Sequence, residues 1–128
     1  MFNRKGFTLI ELLTVVVVIG LLVAIAIPKF GGSKDKAKLA SVKTDLRNIM
    51  TSQEAYLSDQ GTYAADYAAL QARLNTTLSS GNTATIAGIG SGWTATVNNP
   101  SITTGITQCT VQVGAGASST VDGVITCS

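Results

Sequence analysis

The first quarter of the chain is dominated by an apolar run that contains a single carboxylate. The run extends from Phe7 to Ile27, which is 21 residues, and Glu11 is its one charged residue. As a helix it would be about 31 Å long, which matches a hydrocarbon core of about 30 Å. An ionisable group inside a membrane helix is costly unless it has a partner. The run therefore predicts a membrane-spanning helix with a functional acid near its start.

A cut after Gly6 would supply that acid with a partner, because it would create an α-amino group on Phe7. Phe7 and Glu11 are four residues apart and would share one helix face, and a carboxylate in the first turn suits the helix dipole. The six residues before the cut are polar and basic. They are typical of a short leader held on the cytoplasmic side.

Two simpler interpretations compete with this one. Ala24-Ile25-Ala26 has the form of an ordinary secretory cleavage site after an apolar core. A permanent, uncleaved membrane anchor is the other alternative. Both leave Glu11 without a role, and the first would also start the mature chain at the awkward Ile27-Pro28.

A helical pattern continues beyond the apolar run. Pro28 predicts a kink, because proline removes one backbone donor and clashes with the preceding turn. Gly31-Gly32 either bends the helix or interrupts it. Apolar residues then recur at intervals of three and four as far as Leu57, and Gly61 provides a left-handed cap after a helix that spans about Phe7 to Ser58. The opposite face is expected to be polar: Lys38, Lys43, Asp45, Arg47, Asn48, Ser52 and Glu54.

The rest of the chain predicts a shorter helix within Thr62–Leu78 and then a group of strands. The strands are separated by glycine, asparagine, proline and serine, and they are predicted at Ala84–Ile89, Trp93–Val97, Gln108–Val113 and Val121–Cys127. A small antiparallel sheet needs a cover, and the apolar face of the Leu39–Leu57 helix is available. The predicted fold class is α+β, with a long N-terminal helix, transmembrane and then amphipathic, packed on a small antiparallel sheet. Gly88–Trp93 has the glycines of a nucleotide loop but no βαβ frame, so it predicts a turn between strands.

Composition excludes several classes of function. The chain has no histidine and 12% charged residues, and its carboxylates form no paired site, so neither an enzyme nor a cofactor or metal site is expected. Without the leader the chain would carry seven basic and seven acidic side chains, which makes nucleic acid an unexpected main partner. The basic residues are concentrated just after the apolar run, where a solvated helix face next to lipid headgroups is expected: Lys29, Lys34, Lys36, Lys38, Lys43 and Arg47.

The two cysteines, Cys109 and Cys127, are too far apart for C-x-x-C redox chemistry. Export of the domain would favour a disulfide between them. Two buried free thiols in a reducing compartment remain the alternative if the domain is not exported.

The segment from Gly6 to Leu13, followed by the aliphatic run and Ala24–Pro28, resembles the class III signal and first helix of type IV pilins and of their type II secretion relatives, the pseudopilins. The likeness is specific across Arg4–Phe30. It continues weakly through Asp45–Asn48 and Glu54–Tyr63, which resemble short type IVa pilins.

The resemblance implies a sequence of events for this chain. A prepilin peptidase would cut between Gly6 and Phe7 and methylate the Phe7 amine, and Glu11 would be the assembly glutamate. The precursor would be a single-pass inner-membrane protein, which assembly machinery extracts from the bilayer into a homopolymer held by the N-terminal helices. Pro28 would match the proline near which the helix loosens. Cys109 and Cys127 would bracket a C-terminal disulfide loop.

The expected product is an extracellular type IV pilus used in adhesion and twitching motility. The alternatives are a pseudopilin of a type II secretion system and a minor or DNA-uptake pilin. The expected organisation is a leader at 1–6, a transmembrane or filament-core helix at 7–28, its amphipathic continuation at 29–60 and a globular head at 61–128.

Overall fold

The computed structural model describes residues 6–88, 90–114 and 122–128. The chain divides into two compact units, residues 1–34 and residues 35–128. The first unit is helical from Leu9 onward, and the second unit combines helix and sheet. The α+β class predicted from the sequence is confirmed.

Helix α1 spans Leu9–Gln60 and contributes to both units. The helix continues through Pro28, Gly31 and Gly32, so the glycine pair does not interrupt it. The kink at Pro28 stays a prediction. α1 ends as expected, because Gly61 has a φ of 76° and its N–H donates to the carbonyl of Leu57 at 2.8 Å.

Helix α2 spans Tyr67–Leu74 and is shorter than the helical pattern in the sequence. Its first turn is capped by the side chain of Asp66, which accepts from the N–H of Ala69 at 2.8 Å. Asn75 ends it in the left-handed conformation, with φ 51° and ψ 37°. Local side chain–backbone chemistry at both ends therefore stops the helix before the pattern ends.

Four strands form one antiparallel sheet in the order β1-β2-β3-β4. They are β1 at Thr83–Gly88, β2 at Gly92–Asn98, β3 at Gln108–Gly114 and β4 at Thr126–Cys127. The first three agree with the predicted strands to within a residue at each end, apart from Ile89, which lies outside the described residues.

The fourth strand was predicted too long, since only Thr126–Cys127 of the segment beginning at Val121 is strand. Val121 lies outside the described residues. Asp122 and Gly123 form a turn instead, with Gly123 at a φ of 74° and its N–H bonded to the carbonyl of Gln112 at 2.8 Å. The Asp-Gly pair favours a turn over extended pairing.

The core of the second unit lies between α1 and one face of the sheet, as the pattern predicted. The helix contributes Val42, Leu46 and Ile49, and all three are fully buried. The sheet and the α2 region contribute Ala64, Leu70, Ile86, Trp93, Ala95, Val97, Cys109 and Val111. The residues between them on each strand face outward, as the period of two requires.

Candidate functional site

The first turn of α1 is closed by a reciprocal pair of side chains. The carboxylate of Glu11 accepts from the N–H of Thr8 at 3.0 Å and from its hydroxyl at 2.9 Å, and the N–H of Glu11 donates to the Thr8 hydroxyl at 3.3 Å. Thr8 directly precedes the first helical residue. This is the capping-box arrangement, which satisfies backbone donors that the helix leaves unpaired.

Both bonds to the Glu11 carboxylate end on the same oxygen, Oε2. Within the described part of the chain, Oε1 accepts no hydrogen bond and no cation pairs with Glu11. The capping role therefore leaves one carboxylate oxygen available to an outside cation.

Sequence reasoning missed the capping role, although Thr8-Leu9-Ile10-Glu11 has its S/T-x-x-E signature. It also placed Phe7 on the helix face of Glu11, whereas the helix starts two residues later, at Leu9. The cause is that Thr8 acts as the cap and leaves Phe7 outside the helix. Gly6 and Phe7 are exposed at the start of the described chain.

The first unit leaves its apolar side chains exposed. Exposure ranges from 46% at Val23 to 83% at Phe7 and Leu9 among the large apolar residues between Phe7 and Phe30. By length and composition α1 is suited to cross a membrane. A continuous exposed apolar surface of this kind is typical of a membrane or protein interaction site.

The second unit closes its C-terminal part with a disulfide. Cys109 on β3 and Cys127 on β4 are direct cross-strand partners, with their Cα atoms 4.0 Å apart, and they form a disulfide. Cys109 is fully buried in the core. The bond ties the short β4 to the sheet, to which it otherwise pairs through only two residues.

A buried carboxylate organises the loops beside the sheet. Asp45, 2% exposed, accepts from the N–H and the hydroxyl of Ser79, both at 2.9 Å, and from the amide of Asn82 at 2.6 Å. Asn82 in turn accepts from the side chain of Asn99 at 2.7 Å. The sequence pattern placed Asp45 on the polar face, and this is wrong, because Ser79 and Asn82 supply donors that allow its burial.

A second carboxylate, Asp35, holds the loop after β2 in a similar way. It accepts from the hydroxyl of Thr104 at 2.6 Å, from the N–H of Thr104 at 3.1 Å and from the hydroxyl of Thr103 at 3.2 Å. Lys38 lies 3.6 Å away and also donates to the carbonyl of Ser101. The Thr104 hydroxyl, more than any other neighbour, lowers the pKa of Asp35 below its ordinary value.

Groups for metal binding do not assemble in the described residues. No group of three or more acidic or cysteine side chains there could hold a metal ion. The predicted site residues instead fall into two separate places: Gly6, Phe7, Glu11 and Pro28 belong to the first unit, and the cysteines belong to the second.

Comparison with known proteins agrees with the geometry of the first turn. The family described as the prokaryotic N-terminal methylation motif matches residues 1–27. The chain is 44% identical over 62 residues to the type IV major pilin protein PilA of Myxococcus xanthus, which covers 48% of this chain and 28% of that protein. It is 40% identical over 70 residues to the type IV wide pilus major component PilA4 of Thermus thermophilus, covering 55% of this chain and 53% of that protein.

The chain is also 33% identical over 70 residues to the type II secretion system core protein G of Klebsiella michiganensis, covering 55% of this chain and 49% of that protein. The matched region thus spans from about a quarter to about half of the length of these curated relatives. In its N-terminal part the chain is therefore similar to type IV pilins and to the pseudopilins of type II secretion, and the α+β fold agrees with that similarity.

Proposed function

We propose that the chain is a prepilin that is cut between Gly6 and Phe7, N-methylated at Phe7, and polymerised into an extracellular type IV pilus that serves adhesion and twitching motility. Its partners are then a prepilin peptidase, the inner-membrane assembly machinery, the bilayer before assembly and further copies of itself. The observation that carries the proposal is the state of Glu11. Its Oε2 caps the helix, while Oε1 accepts nothing within the described residues.

A free carboxylate oxygen in apolar surroundings attracts an ammonium strongly. The cut would create that ammonium at Phe7, and methylation retains its charge. An incoming subunit could then pair its Glu11 with the Phe7 amine of a neighbour, while the exposed apolar helices pack together and replace lipid. Pro28 is where we expect α1 to loosen during this transfer, because its ring removes a backbone bond.

Mass spectrometry of sheared surface filaments tests the identity of the subunit. The expected result is a dominant protein that begins with methylated Phe7. A mature protein that begins elsewhere, such as after Ala26, would overturn the proposed processing.

Substitutions at Glu11 separate the capping role from charge pairing. Glu11→Ala removes both and is expected to leave cleavage intact while filaments are lost. Glu11→Gln is the sharper variant, since glutamine also fits the capping box but carries no charge. It should fail to assemble like Glu11→Ala, and normal filaments from Glu11→Gln would contradict the pairing mechanism. Thr8→Ala, which keeps the charge and weakens the cap, should still assemble.

A pseudopilin of type II secretion is the second candidate, favoured by the similarity to core protein G at 33% and 35% identity in two organisms. The Cys109–Cys127 disulfide and the single acid beyond Asp66 in the sequence, Asp122, argue for the pilus, since major pseudopilins commonly lack the cysteine pair and carry a calcium-binding loop. Deletion of the gene distinguishes them. Loss of protein secretion, with the chain absent from surface filaments, would establish the pseudopilin.

A further inference from the structure

The second unit contains a cavity of about 340 Å³ that joins an apolar wall to two carboxylates. It is lined by Met50, Thr51, Glu54, Trp93, Val113, Asp122 and Gly123. Trp93 is 2% exposed, and its indole N–H has no hydrogen-bond partner in the part of the chain that the structure describes. The cavity therefore holds hydrogen-bonding and charged groups that the described residues do not fully satisfy.

Among the described residues, the two carboxylates each have a neutral partner but no cationic one. Glu54 accepts from the hydroxyl of Tyr63 at 3.1 Å, and Asp122 accepts from the N–H of Gly114 at 2.9 Å. Neither forms an ion pair with any described residue. Residues 115–121 contain no charged side chain, so the sequence offers no cation there either.

A stripe of cations runs along the exposed face of α1 in the same unit. Lys36, Lys43 and Arg47 are seven and four residues apart, which places them on one helix face. All three are exposed and form no ion pair with the described residues. Glu54 follows Arg47 by seven residues, so it continues the same face about 10 Å farther along the axis. We call Lys36, Lys43 and Arg47 the basic stripe.

We propose that the cavity at Glu54 and Asp122 receives the basic stripe of a second copy of this chain. The inference rests on the proposed polymerisation and names a contact between head regions within it. Along one helix face, positive charge gives way to negative charge. Two parallel copies shifted along the helix axis would therefore place the positive part of one against the negative part of the other.

Side-chain chemistry favours a lysine or arginine as the occupant. The long aliphatic stem of either residue packs against apolar surface such as Met50, Val113 and the Trp93 ring while its charged head reaches the carboxylates. Because the donor and acceptor surfaces differ, the contact is head-to-tail, and repetition of such a contact builds an open filament. Complementary charge also fixes the register of the neighbours.

A zero-length carbodiimide cross-link, which joins a lysine amine directly to a carboxylate, tests the contact in sheared filaments of the full chain. The expected result is a covalent dimer in which Lys36 or Lys43 is joined to Glu54 or Asp122. The double variant Glu54→Gln with Asp122→Asn keeps the hydrogen bonds to Tyr63 and Gly114 and should lose this dimer. Asp66→Asn removes one exposed charge elsewhere but keeps a good helix cap, and it should retain the dimer.

Charge exchange provides the second measurement. Glu54→Lys with Asp122→Lys should abolish filaments, and the further changes Lys43→Glu with Arg47→Glu should restore them. Non-reducing electrophoresis that shows the Cys109–Cys127 bond establishes folding of each variant. Wild-type filaments that form without these cross-links would overturn the inference and leave the pilin proposal intact. A small molecule found in the cavity in place of the basic stripe, or charge exchange without rescue, would do the same. Absence of the chain from every filament would overturn both.

Discussion

Apolar side chains are used in opposite ways by the two units of the chain. In the first, Leu22 in the N-terminal part of α1 is 62% exposed. In the second, Leu46 on the same helix is fully buried against the sheet. The same residue type in the same kind of backbone is thus left exposed in one unit and forms the core in the other.

Polar side chains also differ between the units, because they bond to nearby residues in the first and to distant residues in the second. In the first unit Thr8 and Glu11 satisfy backbone groups of their own turn, three residues apart. In the second, Asp45 binds Ser79, which is 34 residues away. The first unit can therefore form its structure locally, whereas the second depends on contacts between distant parts of the chain.

Leucine-to-alanine substitutions should give the largest difference between the units. Leu46→Ala is expected to lower the free energy of unfolding of the second unit by about 4 kcal/mol, because it leaves a cavity in the core. Leu22→Ala should leave that free energy unchanged. Both are measured by urea denaturation of the detergent-solubilised chain, with the fluorescence of Trp93, its single tryptophan, as the signal. Equal losses in the two variants would contradict the division.

The buried carboxylate should have the next largest effect. Asp45→Ala removes the acceptor for Ser79 and Asn82 and is expected to cost about 3 kcal/mol in the same assay, since it leaves several donors unsatisfied. Asp66→Ala, the same chemical change at an exposed helix cap, should cost about 1 kcal/mol. A loss at Asp45 no greater than that at Asp66 would show that the network contributes little.

The effect of a glycine-to-alanine substitution on stability should have opposite signs in the two units. A β-carbon on Gly88 would lie 2.3 Å from the carbonyl oxygen of Ala64, so Gly88→Ala is expected to destabilise the second unit by about 2 kcal/mol. A β-carbon on Gly32 meets no atom within 4 Å, and alanine is the better helix former there by about 1 kcal/mol. Gly32→Ala should therefore slow amide hydrogen exchange in the surrounding turns. Faster exchange in this variant would refute the expected stabilisation.

The smallest expected effect is a pH dependence of the stability of the second unit. The Thr104 hydroxyl, followed by Thr103 and the Thr104 N–H, lowers the pKa of Asp35, so the ionised form favours the folded state. Its contribution is present above the unfolded pKa of about 3.9 and is lost as the pH falls through the folded pKa. The difference in unfolding free energy between wild type and Asp35→Asn should therefore shrink below about pH 4.

The difference in unfolding free energy between wild type and Asp35→Asn separates the contribution of Asp35 from that of Asp59. Arg73 lowers the pKa of Asp59 in the same direction. Thr104→Val removes the hydroxyl that lowers the Asp35 pKa most and should reduce the same pH dependence. A difference that stays constant from pH 7 to pH 3 would show that Asp35 does not contribute through its charge.

The elements that could be predicted are those that local patterns specify. The apolar run, the spacing of Val42, Leu46 and Ile49, and the alternation in β2 and β3 each repeat with the period of their own element, so helix, core face and strands followed from sequence. The fourth strand did not, because the Asp122-Gly123 turn competes with its pattern. The Thr8–Glu11 cap also has a local signature, because both of its residues lie within one turn.

By itself, then, the sequence determined the membrane-length helix, its acid and the strand-rich remainder, because each depends on residues within a few turns of one another. Only the tertiary structure decided that Asp45 is buried and that Glu54 and Asp122 share a cavity with Trp93. The physical reason is that burial and charge compensation depend on which distant groups fold together. A periodic pattern along the chain does not specify those partners.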